Sequence, residues 1–186
     1  MNSSTQTAIR IDLTPPPGEE SDVDAIMQPF AAMLGKAPTG LRMLGTSPAL
    51  LENYASTIHY YMSHAKISQP LLTFIRYLVS WRGDCHYCID MNEAFLMNAG
   101  LDLDSIKATR EDPGRAPLDE REKYLLKLAV DAVDQPESVT RDRIDGARAH
   151  GWSDRDIFDA VWHANSNRAF GRTAEAFGLP PDGFAA

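Results

Sequence analysis

Cysteine is scarce in this chain, with only Cys85 and Cys88 among 186 residues. That excludes a framework of several disulfides, and the 44% apolar content supplies a core that needs no such staple. Basic residues are also few: 18 Lys and Arg stand against 26 Asp and Glu, for a net charge of −8. Such a surface repels phosphate backbones and anionic bilayers, so neither nucleic acid nor membrane is an expected partner. Long apolar runs are missing. The longest, "PLLTFIRYLVSW" at 70–81, is too short to span a bilayer and carries Arg76. No basic region followed by an apolar stretch opens the chain, so no signal peptide is expected and the location read is cytoplasmic. Sustained period-two alternation is absent as well, which argues against strands.

What is present is helical punctuation. Residues 1–20 read as an extended arm, because the three prolines of "TPPPGEE" forbid a helix there. Residues 21–186 read as one all-α domain of about seven helices. The first candidate, "SDVDAIMQPFAAML", is expected to be interrupted by Pro29, and "GKAPTGLRMLGTSP" is expected to be a loop. Ser47–Pro48 opens a helix, and Ser68 opens another that is apolar nearly all round and should be the central one. Asp119 with Glu122, Thr140, and Ser153 with Asp156 mark three further starts, while Gly100, Gly151 and Gly178 mark stops.

Both cysteines lie in "RGDCHYCIDMNEAF", at the head of a predicted helix preceded by Gly83. Residues three apart on a helix are neighbours, so this C-x-x-C can close with slight adjustment into a readily reduced disulfide. A helix N-terminus also favours the thiolate. The alternative is that both are small core hydrophobes, since cysteine is among the most buried residue types. They begin an inward stripe with Asn92, Phe95, Leu96 and Ala99, in which Asn92 alone is polar and must find partners. No second C-x-x-C or H-x-x-x-H supports zinc, and Ile89 stands where haem attachment needs histidine. A thioredoxin-like site would need a βαβ context, which is missing.

Four pieces, in this order, resemble the AhpD-like alkylhydroperoxidase and carboxymuconolactone decarboxylase family, specifically its peroxidase-related branch. They are "APTGLRMLGTSPALLENY", "LVSWRGDCHYC", "NAGLD" and "GWSDRDIFDAVWHANSNRAFGRTAEAFGL", and the resemblance covers about residues 36–180. It implies an all-helical fold that assembles as dimers, trimers or hexamers. It also implies hydroperoxide reduction by Cys85 and Cys88, with re-reduction by a lipoyl-bearing or thioredoxin-type thiol partner and no further cofactor or metal. A lactone decarboxylase, the family's other activity, would not need the dithiol. The pattern's relay has a glutamate twelve residues before the first cysteine and a histidine four after the second. Here those positions hold Thr73 and Asn92, neither of which takes a proton near neutral pH. A scaffold that binds small molecules or serves as a stress-associated interaction protein, without peroxidase turnover, is therefore the alternative expectation.

Other residues could support the thiols. His86 adjoins Cys85 but lies about a hundred degrees round the helix, where a surface imidazole is expected. Arg76 shares a face with Thr73 and either stabilises a thiolate or extends to the surface. Asp90 and Glu93 are expected to face solvent. On the last helix Asn165, Arg168 and Arg172 recur at helical spacing, and Asn167 and Arg168 match the resemblance. These are expected to pair with acids across a subunit contact or to line the pocket. His59, His64, His150 and His163 read as surface or satisfied core, and Met62, Met91 and Met97 as core filler.

Overall fold

The computed structural model describes residues 9–185, and all regular structure among them is helical. The α-helices are α1 (Glu20–Leu34), α2 (Thr39–Leu44), α3 (Pro48–Met62), α4 (Gln69–Arg82), α5 (His86–Asn98), α6 (Leu103–Ala108), α7 (Glu120–Asp134), α8 (Arg141–Ala149) and α9 (Asp154–Phe177). Single 3-10 turns at Pro113–Arg115 and Pro136–Ser138 bracket α7. No helix among the described residues is long and apolar enough to cross a membrane.

The helix starts follow local chemistry. Ser68 Oγ accepts from Leu71 N at 3.2 Å, and Asp119 Oδ1 accepts from Glu122 N at 2.7 Å, each satisfying an orphan donor of a first turn. Ser153 and Asp156 form a complete capping box at α9. Ser47 precedes Pro48 as expected, but its side chain caps nothing. At the far end of α9, Gly178 takes φ 69°, a left-handed stop that glycine adopts without steric cost.

Helix α4 is the axis of the molecule, as its composition predicts. It packs on α5, α7 and α9, and Leu71, Leu72, Phe74, Ile75 and Tyr77 are wholly enclosed. The main core continues through Leu125, Leu126, Leu128 and Ala129 of α7 and Ala160 and Ala164 of α9. A second cluster joins Val23 of α1 to Leu41 of α2 and Leu51 of α3. A third gathers around the cysteines and joins the N-terminal segment and the end of α9 to α2 and α5: Leu13, Met43, Tyr87, Ala174 and Leu179, with Ile9, Ile11 and Phe170 against them.

Several expectations are corrected here. Pro29 lies inside α1 and does not end it, because Val23, Ile26, Met27 and Phe30 anchor both halves of the helix on the same apolar cluster. The stretch read as a loop contains α2, where burial of Leu41 and Met43 outweighs the glycines. With α2 included, the described residues hold nine α-helices against about seven expected. Met62 and Met97 are exposed and fill no core, since they fall on the outer faces of α3 and α5. Residues 1–8 of the expected arm lie outside the described residues, whereas residues 9–19 are non-helical and pack onto the body. Arg10 N donates to Phe177 O at 2.9 Å, fixing this strap across the end of α9.

Candidate functional site

The dithiol stands where α4 turns into α5. Helix α4 ends at Gly83 with φ −91°, and the reversal is made by Asp84 at φ 55°, a left-handed conformation that Asp tolerates better than most residues. The glycine break expected at Gly83 is thus displaced by one residue. Cys85 follows as the N-cap of α5, and its Sγ accepts from Cys88 N at 3.3 Å. A sulfur does here what a serine or aspartate oxygen usually does at a helix start.

That position makes the two thiols unequal. The Cys88 thiol donates to Cys85 and its backbone N–H does the same, so the Cys85 thiol is held below its ordinary value despite burial. Glu175 and Asp84 oppose the shift with their negative charge. Cys88 is pushed well up, first by donating its proton to Cys85 and then by burial. Both cysteines are unbridged and buried. Cys85 lines two cavities and Cys88 lines neither.

The larger cavity, of about 430 Å³, is walled by Cys85, His86, Tyr87, Ala174, Leu179 and Pro180 among others, with Arg10 and Glu175 contributing charge. His86 is exposed as expected, and its Nδ1 lies 3.0 Å from Asp84 O at the cavity edge. The smaller cavity has about 10 Å³ open to the centre of a water molecule. Its wall includes Cys85, Ser80, Gly83, Asn167, Arg168 and Gly171. Helix α9 reaches the sulfurs only because residue 171 is glycine. A Cβ there would stand 3.3 Å from Cys85 Cβ and 3.5 Å from its Sγ.

Thr73 and Asn92 are joined through Arg76. Arg76 Nε donates to Asn92 Oδ1 at 2.9 Å, Nη2 donates to Thr73 Oγ1 at 3.1 Å, and Nη1 faces His163 Nε2 at 3.4 Å. Asn92 in turn donates from Nδ2 to Cys88 O at 2.8 Å. This answers the question of what satisfies a carboxamide in an apolar stripe. The guanidinium is enclosed although the residue as a whole is half-buried, and burial lowers its pKa. His163 is pushed down to about 3, by burial first and then by the charge of Arg76. Neutral His163 can accept from Arg76, so all three neighbours serve as acceptors for one cation.

Arg76 therefore neither extends to the surface nor turns its recorded hydrogen bonds toward a sulfur. Sequence reasoning gave Thr73 and Arg76 a common face but did not bring them to Asn92 on α5 or to His163, which reaches Arg76 on α9 from 87 residues away. Glu93 is a further correction, because it is buried rather than solvent-facing. It accepts from Tyr77 Oη at 3.0 Å and from Arg110 Nη2 at 2.5 Å, tying α5 to α4 and to the segment after α6. Asp90 holds the C-terminal segment, accepting from the backbone of Gly183, Phe184 and Ala185. On α9, Arg168 pairs with Asp134 of the same chain at 3.2 Å, and Asn167 donates to Ser80 Oγ at 3.0 Å. Asn165 caps nothing beyond its own helix, donating to Val161 O.

No protein-family model matches the chain, and no curated protein sequence does either. Solved structures do. An uncharacterized peroxidase-related protein from Silicibacter sp. TM1040 superposes with a TM-score of 0.82 at 20% identity, covering 94% of this chain and 92% of that one. An uncharacterized peroxidase-related protein from Ralstonia eutropha JMP134, described as an alkylhydroperoxidase AhpD core, gives 0.79 at 17% identity, covering 95% and 94%. A cysteine-to-alanine variant of the debrominase Bmp8, in complex with 2,3,4-tribromopyrrole, gives 0.73 at 15% identity, covering 94% of each chain. The fold is thus that of AhpD-like, peroxidase-related helical proteins, in agreement with the resemblance read from the motifs.

Proposed function

We propose that this protein is a dithiol-dependent hydroperoxide reductase. The observation that carries the reading is that Cys85, the thiol at the α5 N-terminus, borders open cavities while Cys88 sits behind it within hydrogen-bonding reach. The Cys85 thiolate attacks the terminal oxygen of ROOH, the O–O bond breaks, and RO⁻ leaves and is protonated. The Cys85 sulfenic acid then condenses with the Cys88 thiol, forming the disulfide and releasing water. An external dithiol of lipoyl or thioredoxin type supplies the two electrons that reopen the bond. No side chain of the Glu-and-His kind is needed to ionise Cys85 on this reading. Its proton is lost to solvent at the cavity, and the thiolate is held by the Cys88 S–H and N–H. The cycle suits a reducing compartment such as the cytoplasm.

The exposed, stacked Phe158 and Trp162 on α9, with ring centroids 6.0 Å apart, support a homo-oligomer with that face at a subunit contact. A second reading, a binding scaffold without turnover, is favoured by the Arg76 cluster, because Thr73 and Asn92 serve there as acceptors and not as a proton relay. Peroxide consumption with dihydrolipoamide as reductant tests the first reading. Cys85→Ser and Cys88→Ser should each abolish turnover, and only Cys88→Ser should give a sulfenic acid trapped by dimedone. Wild-type rates in either variant would refute the dithiol mechanism, and thiol titrations near the free-cysteine value for both would favour the scaffold.

A further inference from the structure

Gly83 and Asp84 present a puzzle. The left-handed residue of the α4–α5 turn is Asp84, whereas Gly83 has an ordinary helical φ of −91° that any residue could adopt. Backbone freedom therefore does not explain a glycine at 83. Space does: a Cβ on residue 83 would overlap Arg168 Nη1. The guanidinium of Arg168 lies directly over this bare Cα, two residues from Cys85.

Arg168 is held in that place by one edge only. Its Nη2 donates to Asp134 Oδ1, while Nη1 is sealed from solvent and finds no acceptor among the described residues. A buried donor without a partner is costly, so a structure that keeps one beside a reactive group calls for an explanation. The small cavity supplies it. Arg168, Ser80, Asn167 and Cys85 all border a space that just admits one water-sized oxygen. The Ser80 hydroxyl proton is committed to Arg76 O at 2.6 Å, and Asn167 donates to Arg76 O and Ser80 Oγ. Arg172 also borders it, but its side chain is largely exposed and lies 4.0 Å from Glu175, so Arg168 Nη1 is the buried donor left without a partner at this space.

We propose that this cavity is the peroxide oxygen subsite and that Arg168 is a catalytic residue, donating from Nη1 to the oxygen that leaves when the O–O bond breaks, with Gly83 the residue that makes room for it. The inference rests on the reading that Cys85 attacks a hydroperoxide. In that step the sulfur gains OH and the O–O electron pair goes to the departing RO⁻. Its negative charge develops on an oxygen about one bond beyond the attacked atom, and a pre-placed cationic donor there stabilises the transition state more than the neutral peroxide. The space holds one oxygen, the leaving one, and no carbon group, so the step fits hydrogen peroxide, in which R is hydrogen.

The test compares two reactions of Cys85 in the reduced full-length protein: oxidation by hydrogen peroxide, and alkylation by iodoacetamide, which forms no oxyanion. Arg168→Met should lower the peroxide rate constant by about 100-fold, the usual effect of removing one such donor, and change alkylation by less than about threefold. Gly83→Ala, which displaces the guanidinium without removing it, should lower the peroxide rate selectively too. Equal losses in both reactions would assign Arg168 to thiolate stabilisation or folding and overturn the proposal, as would an unchanged peroxide rate. If wild-type Cys85 reacts with peroxide no faster than its thiolate fraction in free cysteine allows, the parent reading fails first, and that outcome is visible before any variant is made.

Discussion

Acidification should destabilise this protein in large part through a single histidine. His163 is enclosed between α4 and α9 with Arg76 Nη1 3.4 Å from its Nε2, and is pushed from an ordinary 6.5 down to about 3. The folded state penalises the imidazolium, so its contribution to stability is full above the ordinary histidine value and is lost as pH falls from there toward 3. Between about pH 7 and pH 5 the unfolded chain binds nearly one more proton than the folded chain, a swing of about 2 kcal/mol. Carboxylates held low, such as Asp156 with its Ser153 and Lys66 partners, add their own loss only in the more acidic range below the ordinary aspartate value of 3.8. Urea denaturation followed by tryptophan fluorescence at several pH values would measure the swing. His163→Gln, whose amide oxygen can still accept from Arg76, should flatten the dependence by about 1 kcal/mol per pH unit between about pH 6 and pH 5. Parallel pH dependences for the two proteins would show that His163 is not the responsible group.

Other predictions follow from the same packing. Glu93→Ala should destabilise the fold by about 3 kcal/mol in urea titrations, because it strands Arg110 against Trp81 and leaves Tyr77 Oη without its acceptor; a loss under about 1 kcal/mol would mean the pair is solvated. Gly171→Val should cost about 1–3 kcal/mol by overpacking the sulfurs and should slow disulfide formation, read by thiol counting after peroxide treatment. Leu13→Asp should release the strap over the dithiol and raise the alkylation rate of the cysteines at unchanged helical circular dichroism; an unchanged rate would mean residues 9–13 do not screen them.

Much of this protein could be read along the chain. The caps at Ser68, Asp119 and Ser153, the enclosed helix α4 and the placement of the C-x-x-C at a helix head depend on residues a few positions apart. Helical spacing also put Thr73 and Arg76 on one stripe and Asn92 on the stripe of the cysteines. Local chemistry is sufficient for those features because a cap or a stripe is complete within one or two turns.

The site's chemistry was decided at longer range. Glu93 looked like a solvent-facing acid until Tyr77 and Arg110, 16 and 17 residues away, closed over it. Arg76 had two possible destinations, and acceptors on three helices, Thr73, Asn92 and His163, fixed it inside. Gly83 and Gly171 were legible as a break and as a helix residue, but their function is to admit Arg168 and the two sulfurs, partners from other helices. The strap of residues 9–13 packs on the dithiol from 72 or more positions upstream, and no periodicity records such a contact. The sequence by itself determined the helices and the dithiol's position at the head of α5, because those are properties of short segments. Tertiary structure alone decided how deeply the two thiols are buried and which cations border the oxygen-sized space beside Cys85, because burial and contacts between helices exist only once distant segments meet.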